Sequence, residues 1–198
     1  MKVCAFNASS RKDGNTAILL KHVLKELESE GIETELIQLA GVRIHGCLGC
    51  RKCFANKDRR CGQVEDGMNE YIARMLEADG IILGSPTYFA DCSAQMRALI
   101  ERSGMTARAN GDMFKRKVGA AVVAVRRAGA IHAFDSMNHF FTIGQMIIAG
   151  SSNPLIEHCV ITRNSGRFGA GIECANSNPS LSWCEISYNV TDEIGGGV

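Results

Sequence analysis

The chain has 198 residues, 45% hydrophobic content and a formal net charge of +1, which suits one ordinary soluble domain or one domain with an appendage. Lys and Arg are dispersed in short runs such as Arg51-Lys52, Arg59-Arg60 and Lys115-Arg116-Lys117, so no nucleic-acid partner is expected. No apolar stretch reaches membrane-spanning length and the N-terminus turns polar too soon for a signal peptide, so the expectation is a cytoplasmic protein with no membrane partner; in that reducing compartment nine cysteines read as ligands and core thiols, not as a disulfide framework.

Residues 2–7 read as a strand. The loop Ser9-Ser10-Arg11-Lys12-Asp13-Gly14-Asn15-Thr16 then gathers hydroxyls, amides and a guanidinium ahead of a helix over 16–28. The free N–H groups and dipole of that helix favour an anion, and a phosphate site is the stronger reading. The plainer alternative is that Asn15 or Thr16 is only a helix N-cap. Neither G-x-x-x-x-G-K-[ST] nor G-x-G-x-x-G occurs, so neither a triphosphate loop nor a dedicated dinucleotide fold is supported. The helix carries Ala17, Leu19, Leu20, Val23, Leu24 and Leu27 on its apolar side, and a second strand follows over 33–39.

The loop over 45–62 holds Cys47, Cys50, Cys53 and Cys61 in C-x2-C-x2-C-x7-C spacing. Three close thiolates with a more distant fourth lean toward a [4Fe–4S] cluster. Structural zinc usually needs a second C-x2-C knuckle, which is missing, and reduced loop thiols are the remaining alternative. His45 is given no role, and Cys4 and Cys92 read as small core residues.

A helix over 66–77 leads to an almost wholly apolar strand over 80–84, of the kind buried on both faces. The loop after it, Ser85-Pro86-Thr87-Tyr88-Phe89-Ala90-Asp91, joins a stiffening proline to a flat aromatic pair that suits an isoalloxazine ring. A helix over 93–102 and a strand over 118–125 precede Arg126-Arg127-Ala128-Gly129, where Arg127 can bring positive charge to the electron-rich edge of a reduced flavin. A helix over 131–143 and a fifth strand over 146–149 complete the pattern. Five strands with right-handed crossovers predict an α/β, flavodoxin-like parallel sheet of order 2-1-3-4-5, with its crevice at the strands' carboxyl ends.

Residues 153–198 carry no helical period, so the last helix usual in such a sheet is expected to be lacking. Asn153-Pro154, Cys159, Ile161 and Asn164 recur 25 residues later as Asn178-Pro179, Cys184, Ile186 and Asn189. Gly169-Ala170-Gly171-Ile172 is echoed by Gly195-Gly196-Gly197-Val198 with one residue inserted. This period resembles coils of a right-handed parallel β-helix. The domain expectation is a flavodoxin-like domain over 1–152 and a β-helix-like repeat fragment over 153–198, with Cys159, Cys174 and Cys184 stacked inside the repeat.

Ser9-Ser10-Arg11-x-x-Gly14-Asn15-Thr16, the cysteine tetrad, Gly84-Ser85-Pro86-Thr87-Tyr88-Phe89 and Ser93-Ala94-Gln95-Met96 through Arg102, in this order, resemble the iron–sulfur flavoprotein branch of the NADPH-dependent FMN reductase family over residues 1–152. The resemblance implies FMN held at its phosphate by Ser9, Arg11, Asn15 and Thr16, with Ser10 in the same loop, and at its ring by Pro86, Thr87, Tyr88 and Phe89. It implies a [4Fe–4S] cluster on Cys47, Cys50, Cys53 and Cys61, and a homodimer or homotetramer. NAD(P)H or a ferredoxin is the expected electron donor, and no side chain needs to act as acid or base. Three functions stand at this level: an FMN-dependent electron-transfer oxidoreductase with the cluster, a cluster-free NAD(P)H:FMN or quinone reductase, and a non-enzymatic β-helix-bearing binding protein or chimeric fragment.

Overall fold

The computed structural model describes residues 1–149 throughout and, between residues 155 and 194, the backbone of six short strands. Met1–Ala149 and Gly150–Val198 form two units.

In the first unit the elements run β1 (Lys2–Asn7), α1 (Asn15–Ser29), β2 (Glu33–Gln38), α2 (Lys52–Asn56), α3 (Met68–Glu77), β3 (Gly80–Tyr88), β4 (Asp91–Cys92), α4 (Ala94–Ala109), β5 (Val118–Ala124), α5 (Ala130–Ile143) and β6 (Ile147–Ile148). Five strands pair in parallel in the order β2-β1-β3-β5-β6, while β4 turns back antiparallel on the end of β3. The predicted flavodoxin-like order is therefore present, with β4 as an added strand. Among the described residues no helix is long and apolar enough to cross a membrane, and no helix follows α5.

Side chains alternate across the central strands, as period-2 geometry requires. Cys4 and Phe6 of β1, with Ile81 and Leu83 of β3, enter a large core closed by α3, α4 and α5. There Phe6 meets Tyr71 edge-on at 6.2 Å, and Phe140 lies 5.8 Å from Phe114 and 5.7 Å from Phe141. Val3, Ala5 and Ile82 point to the other face, which Leu20 and Leu24 of α1 cover. Each such fully buried large side chain contributes about 1.5–3 kcal/mol. The buried face of α1 is narrower than its apolar pattern predicts: Ala17, Leu20 and Leu24 are buried, while Leu19 and Val23 are exposed. Only one stripe of the helix meets the sheet, and the flanking apolar residues are left at its sides.

Three boundaries differ from the sequence reading. β3 runs four residues past Gly84, because Ser85 and Pro86 pair with Val123 and Ala124 of β5, and Thr87 and Tyr88 with Cys92 and Asp91 of β4. Proline is tolerated near the end of a ladder, where a missing N–H interrupts little. α4 continues two turns past Arg102, since Ser103 and Thr106 satisfy their hydroxyls on the carbonyls of Leu99 and Arg102 at 2.5 and 2.8 Å. α2 was not anticipated. It is flanked by Arg51 and Lys57 in left-handed conformation, at φ 55° and 50°.

In the second unit, β7 (Leu155–Glu157), β8 (Val160–Thr162) and β9 (Ser165–Phe168) pair in parallel with β10 (Ser180–Ser182), β11 (Glu185–Ser187) and β12 (Val190–Ile194), respectively. Leu155 faces Ser180, Ile161 faces Ile186 and Ser165 faces Val190. The offset is 25 residues each time, equal to the sequence repeat. It becomes 26 where Phe168 faces Ile194, after an irregularity between Thr191 and Ile194. Asn153-Pro154, Cys159, Asn164, Gly169–Ile172, Cys174, Asn178-Pro179, Cys184, Asn189 and Gly195–Val198 lie outside the described residues.

The loops after β3 and β5 meet where Gly129, at φ +89°, backs onto Ala90; a Cβ there would overlap the Ala90 carbonyl. Gly129→Ala is expected to cost about 1–3 kcal/mol, read as a lower urea midpoint. Burial pushes the thiols of Cys4 and Cys92 up to about 11 from the ordinary 9.0, with Glu35 adding to the shift of Cys4. The unfolded thiols ionise first, so the stability these groups contribute is whole below about pH 9 and lost as pH rises through about 11. The urea midpoint is expected to fall across that window, and less steeply in Cys4→Ala/Cys92→Ala.

Candidate functional site

The loop after β1 is braced from below. Asn7 donates from Nδ2 to Oε1 of Gln38 at 2.7 Å, and its Oδ1 accepts the amide of Ser9 at 3.1 Å. Gln38 in turn donates to the Ser9 carbonyl at 2.9 Å, and the Ser9 hydroxyl accepts the amide of Arg11 at 3.1 Å. Two amide side chains at neighbouring strand ends thus hold the turn in shape. The sequence reading did not single them out; the signal was a polar residue at the carboxyl end of each of the first two strands.

The N-cap of α1 is Gly14, which makes no side-chain cap bond. Neither Asn15 nor Thr16 is the N-cap, so the plain helix-cap reading fails. Thr16 is buried, and its Oγ1 has no hydrogen-bond partner. Ser10, Arg11 and Asn15 stand exposed in the same loop. A buried hydroxyl without a partner beside uncapped helix amides fits an oxyanion such as a flavin phosphate.

The end of β3 brings Pro86 and Thr87, both half-buried, to the same edge of the sheet. The Ser85 hydroxyl accepts the Ser93 amide at 2.9 Å and donates to the Pro86 carbonyl at 2.9 Å, fixing the hairpin from inside. Tyr88 and Phe89 sit at the hairpin tip and face outward, Phe89 fully exposed at φ 49°. The expected aromatic wall is therefore an exposed pair, not a packed surface. Asp91 pairs with Arg97 and lies 3.4 Å from Nε2 of His132, tying the hairpin to α4 and α5. Burial works to raise the Asp91 carboxyl, but Arg97 and the Cys92 amide outweigh it and hold it below the usual range. Beside this hairpin, Val125, Arg127, Gly129, Ile131, His132 and Asp135 line an open hollow of about 620 Å³.

Cys53 and Cys61 are buried, Cys47 is half-buried and Cys50 is exposed. α2 turns Cys53 inward. Cys61 is clamped by Asn69, whose Oδ1 accepts its amide at 2.7 Å and whose Nδ2 donates to its carbonyl at 3.0 Å. Burial raises the Cys53 thiol, and the nearby Cys61 and Cys47 sulfurs add to the shift. Cys53 therefore has the Cys47 and Cys61 sulfurs in its neighbourhood, while Cys50 stands exposed. Among the described residues no three His, Cys, Asp or Glu side chains are assembled as a metal cage. In donor chemistry the cysteines nevertheless fit an iron–sulfur cluster: four thiols share one loop, and N–H groups point at two of the sulfurs, from Gly49 to Cys47 and from Arg102 to Cys61, each at 3.4 Å.

A third residue missed by the sequence reading is Lys117, whose ammonium donates to the carbonyls of Leu76, at 2.9 Å, and Ala78 at the end of α3. Burial lowers its pKa. It closes a helix terminus under the sheet and has no place at the crevice.

The family model for NADPH-dependent FMN reductase matches residues 1–159. An iron–sulfur flavoprotein of Methanocaldococcus jannaschii is 39% identical over 186 residues, covering 91% of this chain and 90% of the relative. One of Archaeoglobus fulgidus is 33% identical, over 87% of this chain and 80% of the relative. Among solved structures, the NAD(P)H:quinone oxidoreductase from Methanothermobacter marburgensis superposes with a TM-score of 0.57 at 14% identity, covering 75% of this chain and 82% of that one; this likeness concerns the fold alone. A flavodoxin-like sheet with a braced loop after its first strand, joined to these matches, places the chain in the NADPH-dependent FMN reductase family, as a flavin-dependent oxidoreductase.

Proposed function

We propose that the chain is an FMN-dependent electron-transfer oxidoreductase whose cysteine loop holds a [4Fe–4S] cluster. The observation that carries the flavin reading is the buried Thr16 hydroxyl with no partner, at the start of an uncapped helix. Ser9, Ser10, Arg11, Asn15 and Thr16 would hold the FMN phosphate. Pro86, Thr87, Tyr88 and Phe89 would border the ring, with Arg127 above its electron-rich edge. Bound FMN would supply hydride acceptance and one-electron release, and the cluster one-electron transfer. The residues orient and shield: the Asn7–Gln38 brace keeps the anion loop in register, and the pairing of Asp91 with Arg97 holds the hairpin beside the ring. No side chain is assigned a proton-transfer step.

The relatives named iron–sulfur flavoproteins support the cluster on Cys47, Cys50, Cys53 and Cys61. The exposed position of Cys50 favours the second reading, a cluster-free NAD(P)H:FMN or quinone reductase. NAD(P)H or a ferredoxin as donor, a homodimer or homotetramer as assembly, and residues 153–198 as two stacked β-helix coils complete the proposal. The last of these is supported by the 25-residue offset shared by the first two strand pairs.

Thr16→Val is expected to weaken FMN binding by about tenfold or more, since a hydrogen bond to a charged group is worth about 1.5–3 kcal/mol. The stability of the FMN-free chain stays at or slightly above that of the parent, because the hydroxyl loses no partner. Unchanged affinity by fluorescence titration would sink the phosphate assignment. For the cluster, Cys50→Ser purified without oxygen is expected to lose most of its iron while keeping FMN. Iron at the parent's level would reject Cys50 as a ligand, and a parent with flavin bands but no iron would establish the cluster-free reductase.

A further inference from the structure

Arg102 is the largest fully buried side chain described, and its five N–H groups all point at one segment of chain. Nε and Nη2 each donate to Sγ of Cys61 at 3.4 Å. Nη2 also donates to the Gln63 carbonyl at 3.0 Å. Nη1 bonds the Asp66 carboxylate and reaches the His45 carbonyl at 3.5 Å. These acceptors span residues 45–66, the whole cysteine loop and its exit, yet the arginine stands on α4. Burial works against the charge, but Asp66 and Cys61 outweigh it and keep the guanidinium firmly protonated. A structural anchor needs only the ion pair with Asp66 and the two carbonyls. The two bonds on a cysteine sulfur go beyond that need.

Resting on the cluster reading above, we propose that Arg102 is the positioning residue of the cysteine loop: it holds Cys61 in place and, by donating two N–H groups to that sulfur, raises the reduction potential of the bound cluster. Donors and positive charge at a ligand sulfur stabilise the reduced cluster, which carries one more negative charge. Lysine cannot replace the fork, because one ammonium cannot bond Asp66 and Gln63 and still place two donors on the sulfur.

The test is the cluster's reduction potential in the FMN-loaded protein, followed by electron paramagnetic resonance, with iron-to-FMN ratio as the loading control. Arg102→Lys is expected to shift the cluster potential to more negative values with the FMN potential unchanged. Asp66→Asn removes the anion and leaves the donors, and is expected to shift the cluster potential the opposite way. A packing role alone gives no such pair of opposite shifts. Should Arg102→Lys fail to hold iron, Asp66→Asn decides: a positive shift supports the inference, and an unchanged or more negative potential overturns it. Parent-like potentials in both variants overturn this inference alone, while a parent chain that binds no iron overturns the cluster reading together with it.

Discussion

Parallel pairing obliges the five main strands of the sheet, β2, β1, β3, β5 and β6, to enter from the same end. The loops after β1, β3 and β5 therefore gather at one edge with no contact needed to bring them there. The Ser9–Thr16 loop, the Thr87–Phe89 hairpin and the Arg127 loop owe their proximity to this rule. Local bonds only refine it: Ala8 donates to the Gly84 carbonyl at 2.8 Å, and Leu39 to the Asn7 carbonyl at 2.9 Å, so the first loop is sewn to both of its neighbours as it leaves the sheet.

The cysteine loop obeys a different logic. It crosses from β2 to α3 outside the sheet, and four of its non-glycine or glycine turns, at Gly49, Arg51, Lys57 and Arg59, are left-handed. Nothing in the sheet shapes such a segment. Its form comes from polar contacts with the helices behind it, Asn69 on the Cys61 peptide, Glu101 on the Cys47 amide at 3.1 Å and Arg102 within the loop. Helices α3 and α4 thus hold the loop from behind, α4 through Glu101 and Arg102, which lie far from it in sequence.

This contrast explains what could be read in advance. Apolar periodicity marks the strands and helices, since burial on a sheet face is a local pattern; the limits of β1, β2 and α5 fall within two residues of expectation. The first half of α4 was legible and the second was not, because Ser103, Gly104 and Thr106 resemble a helix end until their hydroxyls find carbonyls one turn back. Ser9 to Thr16 was legible as the polar loop between β1 and α1 from residue types alone. The Asn7–Gln38 brace and the reach of Arg102 were not, because each joins residues 31 or more positions apart and side-chain hydrogen bonds at such distance leave no period. The outward turn of Phe89 likewise depends on a left-handed tip that composition does not announce.

The irregularity between Thr191 and Ile194 carries a lesson about length. Two strand pairs hold one offset, and the third changes it by a single residue yet resumes parallel pairing at Phe168 and Ile194. A bulge confines an extra residue to one place and leaves the ladder beyond it intact. Successive copies of such a repeat are thereby free to drift in length during descent, each insertion absorbed where it falls. Ancestry between copies is then better traced strand by strand than by any fixed spacing.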